Sequence, residues 1–165
     1  MRVATIAKFG AVALAMGLLA ACSSTKEEAP ATSSGPTTST IRPGTQDDLK
    51  TNVGDTVYFD FDSHAIRADG QATLQKQAAW LQKYPAVRLV LEGHCDERGT
   101  REYNLALGDR RAYAVKEFLV SLGIDANRLQ NKSYGKERPV CSESDEACWA
   151  QNRRGYSLVV TGAGS

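Results

Sequence analysis

The chain has 165 residues, with 20 lysines and arginines, 19 aspartates and glutamates, and a formal net charge of +1. This near-neutral balance gives no electrostatic case for binding nucleic acid, which proteins hold with an excess of basic side chains. The length is sufficient for one domain with its own hydrophobic core.

The first 21 residues have the pattern of a secretory signal peptide. Arg2 and Lys8 give a basic start, and the run Phe9–Ala21 is apolar and uncharged. A helix needs about 20 apolar residues to cross a bilayer, and this run is shorter. We therefore predict a cleaved signal and not a membrane span. Small residues lead to Cys22, as in a bacterial lipobox, where cleavage precedes the cysteine and acyl chains are attached to it. An ordinary signal peptide with a chance cysteine is the alternative.

Lipidation would place the chain at a membrane. Cleavage before Cys22 leaves 18 basic and 19 acidic side chains and a net charge of −1. Two or more acyl chains anchor a protein stably, whereas a single chain binds only marginally. Ser23 stands where enterobacterial lipoproteins that are retained in the inner membrane carry aspartate. We therefore expect an outer-membrane lipoprotein whose folded domain faces the periplasm.

A linker separates the anchor from the domain. The first half of Ser23–Asn52 consists mainly of Ser, Thr, Ala, Pro and Gly with almost no large apolar residue. Such a segment cannot bury enough surface to offset the entropy lost on ordering it. About 30 flexible residues give a reach of roughly 30 Å. We predict the lipidated cysteine and linker over residues 22–52 and the folded domain over residues 53–165.

Apolar residues alternate in the predicted strands and recur at three- and four-residue steps in the predicted helices. In chain order, these elements are a strand at Val57–Phe61, a helix at Ala68–Tyr84, a strand at Val87–Leu91, a helix at Glu102–Leu122, and strands at Arg128–Tyr134 and Arg154–Val160. Pro85 and Gly123 end the two helices, and Trp80 and Trp149 are expected to fill the core. The order β-α-β-α-β-β predicts an α+β fold of two layers, with the helices on one face of a small mixed sheet.

The densest polar cluster, Glu92–Gly99, leaves the second strand and leads into the second helix. Ligands tend to bind at such junctions, near exposed N–H groups. Asn104 and Arg111 are seven residues apart and share a face of that helix. Asp96 and Arg111 then offer one anion and one cation side by side. The pair suits a zwitterionic ligand, with Asp96 for its ammonium and Arg111 for its carboxylate; a structural salt bridge between them is the alternative.

The same polar residues could also belong to a catalytic site or a metal site. The neighbours His94, Cys95 and Asp96 suggest a nucleophile with its base, but adjacent residues at a strand end point to opposite faces and rarely converge. A metal site is disfavoured because His64 and His94 are the only histidines and lack paired ligand spacing. No pair of carboxylates is marked for glycan hydrolysis. We expect no enzyme and no cofactor, while an adaptor that binds only proteins stays open.

Six segments resemble the family that shares the C-terminal domain of outer membrane protein A. They are Val57–Asp62, Glu92–Thr100, Glu102–Asn104, Leu107–Ala112, Ser133–Gly135 and Asn152–Arg154. The segments follow the order and spacing of the family and cover the whole predicted domain. Together with the lipobox and linker, they are similar to the peptidoglycan-associated lipoproteins of that family.

The resemblance implies binding of peptidoglycan through the diaminopimelate residue of its stem peptide. Asp96 and Arg111 occupy the positions that hold the free amino-acid end of this residue. Asp62 lies on the loop that closes the pocket, Asn104 orders the helix entry, and His94 belongs to the Gly-His-x-Asp motif. The resemblance implies that these three residues also take part in ligand binding. The family also partners TolB, a periplasmic propeller of the Tol-Pal system, which implies a role in envelope integrity and in constriction during cell division.

Three cysteines remain besides Cys22. Cys95 fills a position where the family has small residues, so a buried and unreactive thiol is implied. With Cys22 lipidated, Cys141 and Cys148 are left in a polar loop, and an even pair in an oxidising periplasm is expected to form a disulfide. Two free thiols are the alternative.

Overall fold

The computed structural model describes residues 41–161 of the chain. Its elements are α1 (Gln46–Asp48, continuing as a π-helical stretch, Leu49–Val53), β1 (Thr56–Tyr58), α2 (Ala68–Lys83), β2 (Arg88–His94), α3 (Arg101–Ser121), a 3-10 turn (Ala126–Arg128), β3 (Leu129–Gly135), α4 (Glu146–Asn152) and β4 (Arg154–Thr161). The predicted signal peptide, Cys22 and most of the predicted linker lie outside the described residues. Between residues 41 and 161, the structure has no helix with the length and hydropathy of a membrane span.

The four strands form one mixed sheet in the order β1-β4-β2-β3. Strands β2 and β3 are parallel, and β4 runs antiparallel to both β1 and β2. The parallel pair requires a long crossover, which α3 supplies. Helices α2 and α3 pack against one face of the sheet. The predicted α+β class, with helices on one face of a small mixed sheet, is confirmed; α1 and α4 are additional short helices.

Strand β1 is shorter than the alternating pattern predicts. Val57 and Phe59 are buried in the core, but Phe61 is 59% exposed and lies outside it. The chain turns at Asp62, which takes a left-handed φ of 54° that few residues other than glycine adopt. The prediction that the strand extends to Phe61 is therefore wrong, because this turn carries the ring away from the core.

The folded domain begins before the predicted boundary at Val53. Leu49 is fully buried in the core. The side-chain amide of Gln46 donates to the Ser157 carbonyl at 3.3 Å and accepts from the Val159 N–H at 2.7 Å. It thus takes the place of a neighbouring strand where the short β1 no longer covers β4. Residues 46–52 belong to the domain, although their hydropathy resembles that of a linker.

Two glycines allow α3 to lie close against β2. A Cβ atom on Gly93 would be 1.8 Å from the carbonyl oxygen of Gly108, and one on Gly108 would be 2.4 Å from Oγ of Ser133. No side chain fits at either position without moving the helix. Because Asp96 follows β2 and Arg111 lies on α3, this contact sets the distance between the two residues.

Candidate functional site

A cavity of about 150 Å³ opens where β1 and β2 end and α3 begins. It is lined by Phe61, Asp62, Cys95, Asp96, Arg98, Gly99, Tyr103, Asn104, Leu107, Arg111 and Arg153. Four of the five residues that the sequence assigns to ligand binding are thus brought together, namely Asp62, Asp96, Asn104 and Arg111. The fifth, His94, is not among them.

Arg111 is fully buried beneath the cavity. Its Nε donates to the Ser63 carbonyl at 2.8 Å, Nη1 to the His94 carbonyl at 2.8 Å, and Nη2 to the Asp60 carbonyl at 3.0 Å. Three of its five N–H groups are therefore used, and at most two remain for a ligand. Burial lowers the pKa of Arg111 from its ordinary value. Within residues 41–161, no carboxylate oxygen lies within 4.0 Å of its guanidinium nitrogens, so the buried cation has no adjacent counter-anion there.

Asp96 is buried at the side of the same cavity. Its Oδ1 accepts from the backbone N–H of Arg98 at 3.1 Å and from Arg98 Nε at 3.2 Å. Its Oδ2 accepts from Arg98 Nη2 at 2.6 Å and from Arg153 Nη1 at 3.2 Å. Burial alone would raise the pKa of Asp96, but the hydrogen bonds from Arg98 and Arg153 outweigh burial and lower the pKa from its ordinary value. Asp96 is therefore an anion at neutral pH, and its partners are these two arginines, not Arg111.

Two aromatic rings enclose the side chain of Arg98 at the mouth of the cavity. The guanidinium carbon lies 4.0 Å from the centre of the Phe61 ring and 4.1 Å from that of Trp149. Trp149 is half-buried here, and its Nε1 donates to Oε1 of Glu97 at 3.0 Å. The expectation that Trp149 fills the core is wrong, because the unpredicted helix α4 carries the ring to the edge of the cavity.

Asp62 and Asn104 hold the backbone around the cavity. The hydroxyl of Tyr103 donates to the carboxylate of Asp62, which ties the loop after β1 to α3, and this hydrogen bond raises the pKa of Tyr103. The amide of Asn104 donates to the carbonyls of Arg98 at 2.7 Å and Thr100 at 3.0 Å. Both Asn104 N–H groups are used in this way, so the residue orders the entry to α3.

His94 lies on the other face of the sheet. Its ring is 2% exposed and sits in a separate groove, where Nε2 lies 3.4 Å from Oε2 of Glu92. Burial, together with the positive charges of Arg154 and Arg138, lowers the pKa of His94 to about 3. The backbone carbonyl, and not the ring, reaches Arg111. The predicted role of the His94 side chain in ligand binding is corrected, because alternation along β2 turns the ring away from α3.

The substitution His94→Gln is expected to reduce the pH dependence of stability. The pKa of His94 is about 3 in the folded chain, against an ordinary 6.5. Between about pH 3 and 6.5, the unfolded chain therefore binds a proton on this ring that the folded chain does not. Stability therefore falls as pH is lowered from about 6.5 toward 3, by up to about 1.4 kcal/mol per pH unit. Glu92, whose pKa burial raises, acts in the opposite direction and is common to both proteins. Urea unfolding of both proteins at pH 7, 6 and 5 gives the free energy of unfolding at each pH. If this free energy falls equally with pH in the unsubstituted chain and in His94→Gln, the prediction is contradicted.

The geometry does not support Cys95 as a nucleophile. Its thiol is buried, and Sγ donates to the Asn104 carbonyl at 3.3 Å. Burial raises the pKa of Cys95 to about 11, so the thiolate that would attack a substrate is scarce at neutral pH. The ring of His94 lies on the other face of the sheet and cannot act as its base.

Cys141 and Cys148 are joined by a disulfide, with their Cα atoms 5.2 Å apart. This is the pair that the sequence indicates. Cys148 lies in α4, which also carries Trp149 and Glu146 to the edge of the cavity. Oε1 of Glu146 accepts from Nη2 of Arg153 at 2.5 Å. The disulfide therefore ties down the helix whose Trp149 and Glu146 contact the cavity-lining residues Arg98 and Arg153.

Replacing both Cys141 and Cys148 by serine is expected to lower the free energy of unfolding by about 2.5 kcal/mol. This is the chain-entropy value for closing an eight-residue loop. Thermal unfolding of the oxidised, reduced and substituted proteins provides the measurement. The reduced and substituted proteins should melt together, below the oxidised one. Coincidence of all three melting curves would contradict a stabilising bridge.

Two arginines of the site, Arg98 and Arg153, are not identified from the sequence. Arg98 lies within the polar cluster and Arg153 within the last of the family-like segments, but neither segment reveals its contact. Arg153 is 57 residues from Asp96, and only the pairing of β4 with β2 brings them together. The charge pattern Asp96-Glu97-Arg98 was the one available signal, since residues two apart in a loop can pair.

Comparison with known proteins agrees with the fold. The model of the OmpA family matches residues 58–153. The peptidoglycan-associated lipoprotein of Rhizobium meliloti (strain 1021) is 52% identical over 156 residues, which covers 93% of this chain and 88% of the relative. That of Pseudomonas aeruginosa is 42% identical over 157 residues, covering 89% and 93%.

Solved structures give the same result. The crystal structure of the peptidoglycan-associated lipoprotein from Burkholderia pseudomallei is 43% identical, with a TM-score of 0.64, and the match covers 68% of this chain and 99% of that one. The C-terminal domain of Helicobacter pylori MotB is 27% identical, with a TM-score of 0.61, over 66% of this chain and 86% of that one. The resemblance stated from the motifs is confirmed, and the chain belongs to the OmpA family.

Proposed function

We propose that this chain is an outer-membrane lipoprotein that binds peptidoglycan non-covalently through the diaminopimelate of the stem peptide, and that it is not an enzyme. The relatives at 52% and 42% identity, which align over nearly the whole chain, are peptidoglycan-associated lipoproteins. The observation that carries the binding chemistry is the buried Arg111, with no counter-anion beside it in the described chain and an ionised Asp96 in the same cavity.

The free end of diaminopimelate matches this arrangement, because it carries an ammonium and a carboxylate on one carbon. The carboxylate takes the N–H groups that Arg111 has left, as a charge-assisted contact. The ammonium pairs with Asp96. Phe61 and Leu107 provide apolar surface for the methylene groups between the two ends of the ligand. Binding then supplies the anion that offsets part of the cost of burying Arg111.

The cellular role in the proposal rests on family membership. Acyl chains on Cys22 hold the chain at the outer membrane, and the residues between Cys22 and α1 give the domain its reach toward the wall. A TolB-like periplasmic protein is the proposed partner. Through it, the chain serves the Tol-Pal system in envelope integrity and in constriction during division.

Co-sedimentation with purified sacculi tests the binding proposal. The chain should sediment with sacculi whose stems contain diaminopimelate, and a soluble diaminopimelate tripeptide should release it. Sacculi with lysine at that stem position are the matched control, because lysine keeps the ammonium but lacks the carboxylate for Arg111. Binding that is equal on both kinds of sacculi, or absent from both, would rule out recognition of diaminopimelate.

A further inference from the structure

We propose that Arg98 determines the ligand specificity of the pocket. Its guanidinium donates to the Asp96 carboxylate, so a ligand must bring its own cation to replace it there. The inference rests on the proposed function. It adds that a ligand needs a free ammonium, as well as a carboxylate, to bind in the pocket.

The hydrogen bonds of Asp96 carry the first step. A carboxylate has about four acceptor positions, two on each oxygen. Arg98 fills three of them, with its backbone N–H at 3.1 Å, Nε at 3.2 Å and Nη2 at 2.6 Å. Arg153 fills the fourth at 3.2 Å. A ligand ammonium therefore cannot bind Asp96 until one of these arginines gives way.

The two arginines differ in how firmly they are held. The side chain of Arg153 is 8% exposed, and it also donates to the Phe59 carbonyl at 3.1 Å and to Glu146. The side chain of Arg98 is 30% exposed, and within residues 41–161 its side-chain hydrogen bonds go to Asp96 alone. Oε2 of Glu146 lies 3.7 Å from Arg98 Nη1 and offers a second carboxylate at the rim. Arg98 is accordingly the partner that a ligand displaces.

The surroundings of Arg98 favour a cation in its place. The rings of Phe61 and Trp149 stand on either side of the guanidinium, and a cation near aromatic faces is attracted to them. A neutral amide entering the same space would gain no such attraction. It would also offer one N–H in place of three and leave most acceptors of Asp96 unfilled, which is costly for a buried carboxylate. Sites built to bind a polar group reject analogues that lack it most strongly.

Calorimetry with two tripeptides tests the proposal on the full chain in detergent micelles. Both are L-Ala-γ-D-Glu-meso-diaminopimelate, one with a free amine at the side-chain end and the other acetylated there. The unsubstituted chain should bind the acetylated peptide at least about 30-fold more weakly. Arg98→Met should bind the free-amine peptide about threefold to fivefold more tightly, since no ion pair must be broken first. Methionine is unbranched and flexible and forms no ion pair with Asp96, so it can swing out of the space between the rings when the ligand ammonium enters.

Two further variants separate the possible outcomes. Arg101→Met is the matched control, because Arg101 is 72% exposed and lies outside the cavity, and its affinity should equal that of the unsubstituted chain. Arg98→Lys keeps a cation but not the fork, and its affinity should fall between those of arginine and methionine. If Arg98→Met and Arg98→Lys bind the free-amine peptide no more tightly than the unsubstituted chain does, the proposal is overturned and the proposed function stands. Failure of the unsubstituted chain to bind the free-amine peptide overturns both.

Discussion

Replacing Arg111 by lysine is expected to weaken binding of the diaminopimelate tripeptide by at least about 30-fold. Arginine has five N–H donors in a planar fork, and three of them already hold the carbonyls of Ser63, His94 and Asp60. Lysine has three donors on a single nitrogen, which cannot reach these carbonyls and a ligand carboxylate at once. The charge remains, but the two-point contact with the ligand is lost.

The same substitution should leave the domain folded, with a smaller free energy of unfolding. Each buried carbonyl that loses its hydrogen-bond donor lowers the free energy of unfolding by about 1–3 kcal/mol where water cannot replace the donor. Arg111→Ala is a less informative variant, because it also empties a fully buried volume, and lost binding would follow lost stability. Arg110→Lys is the matched control, since Arg110 is exposed on the same helix. Calorimetry and thermal melts on both proteins decide, and a folded Arg111→Lys that binds as tightly as the unsubstituted chain would falsify the two-point contact between Arg111 and the ligand carboxylate.

The main layers of the fold could be predicted because their signal is local. Leu74 and Leu81 in α2 and Val115 and Leu119 in α3 are buried at the helical spacing that the sequence shows. The segments that were missed depend on distant partners. Gln46 replaces a strand through its side chain, and α4 is a seven-residue helix in a polar segment closed by the disulfide. Hydropathy contains no information about such contacts.

The site was predictable in part for the same reason. Topology alone places Asp96, after β2, near Arg111 on α3, and the structure has both in one cavity. Their partners could not be derived, since Arg153 reaches Asp96 only through strand pairing. His94 shows the opposite case. The motif assigned its ring to the pocket, whereas the alternation of β2, with Gly93 against α3, already indicated the other face.

Gly93→Ala is expected to have the largest effect on stability, a loss of at least about 3 kcal/mol. The added Cβ would lie 1.8 Å from the carbonyl oxygen of Gly108 and 2.5 Å from its carbonyl carbon. Both neighbours are backbone atoms, so no side chain can rotate out of the way. Helix α3 would have to move off β2, and the buried contacts between them would open. Urea unfolding with circular dichroism measures the loss.

The glycine contact also ties stability to binding. Arg111 follows Gly108 by three residues, so a shift of α3 moves the guanidinium away from the carbonyls that hold it, and tripeptide affinity should fall together with stability in Gly93→Ala. Gly123→Ala is the control, because its φ is +88° but nothing lies within 4 Å of an added Cβ. It should cost about 1–2 kcal/mol through backbone strain alone and leave affinity unchanged. A Gly93→Ala protein as stable as Gly123→Ala, with normal affinity, would show that the close approach of α3 to β2 does not position the site.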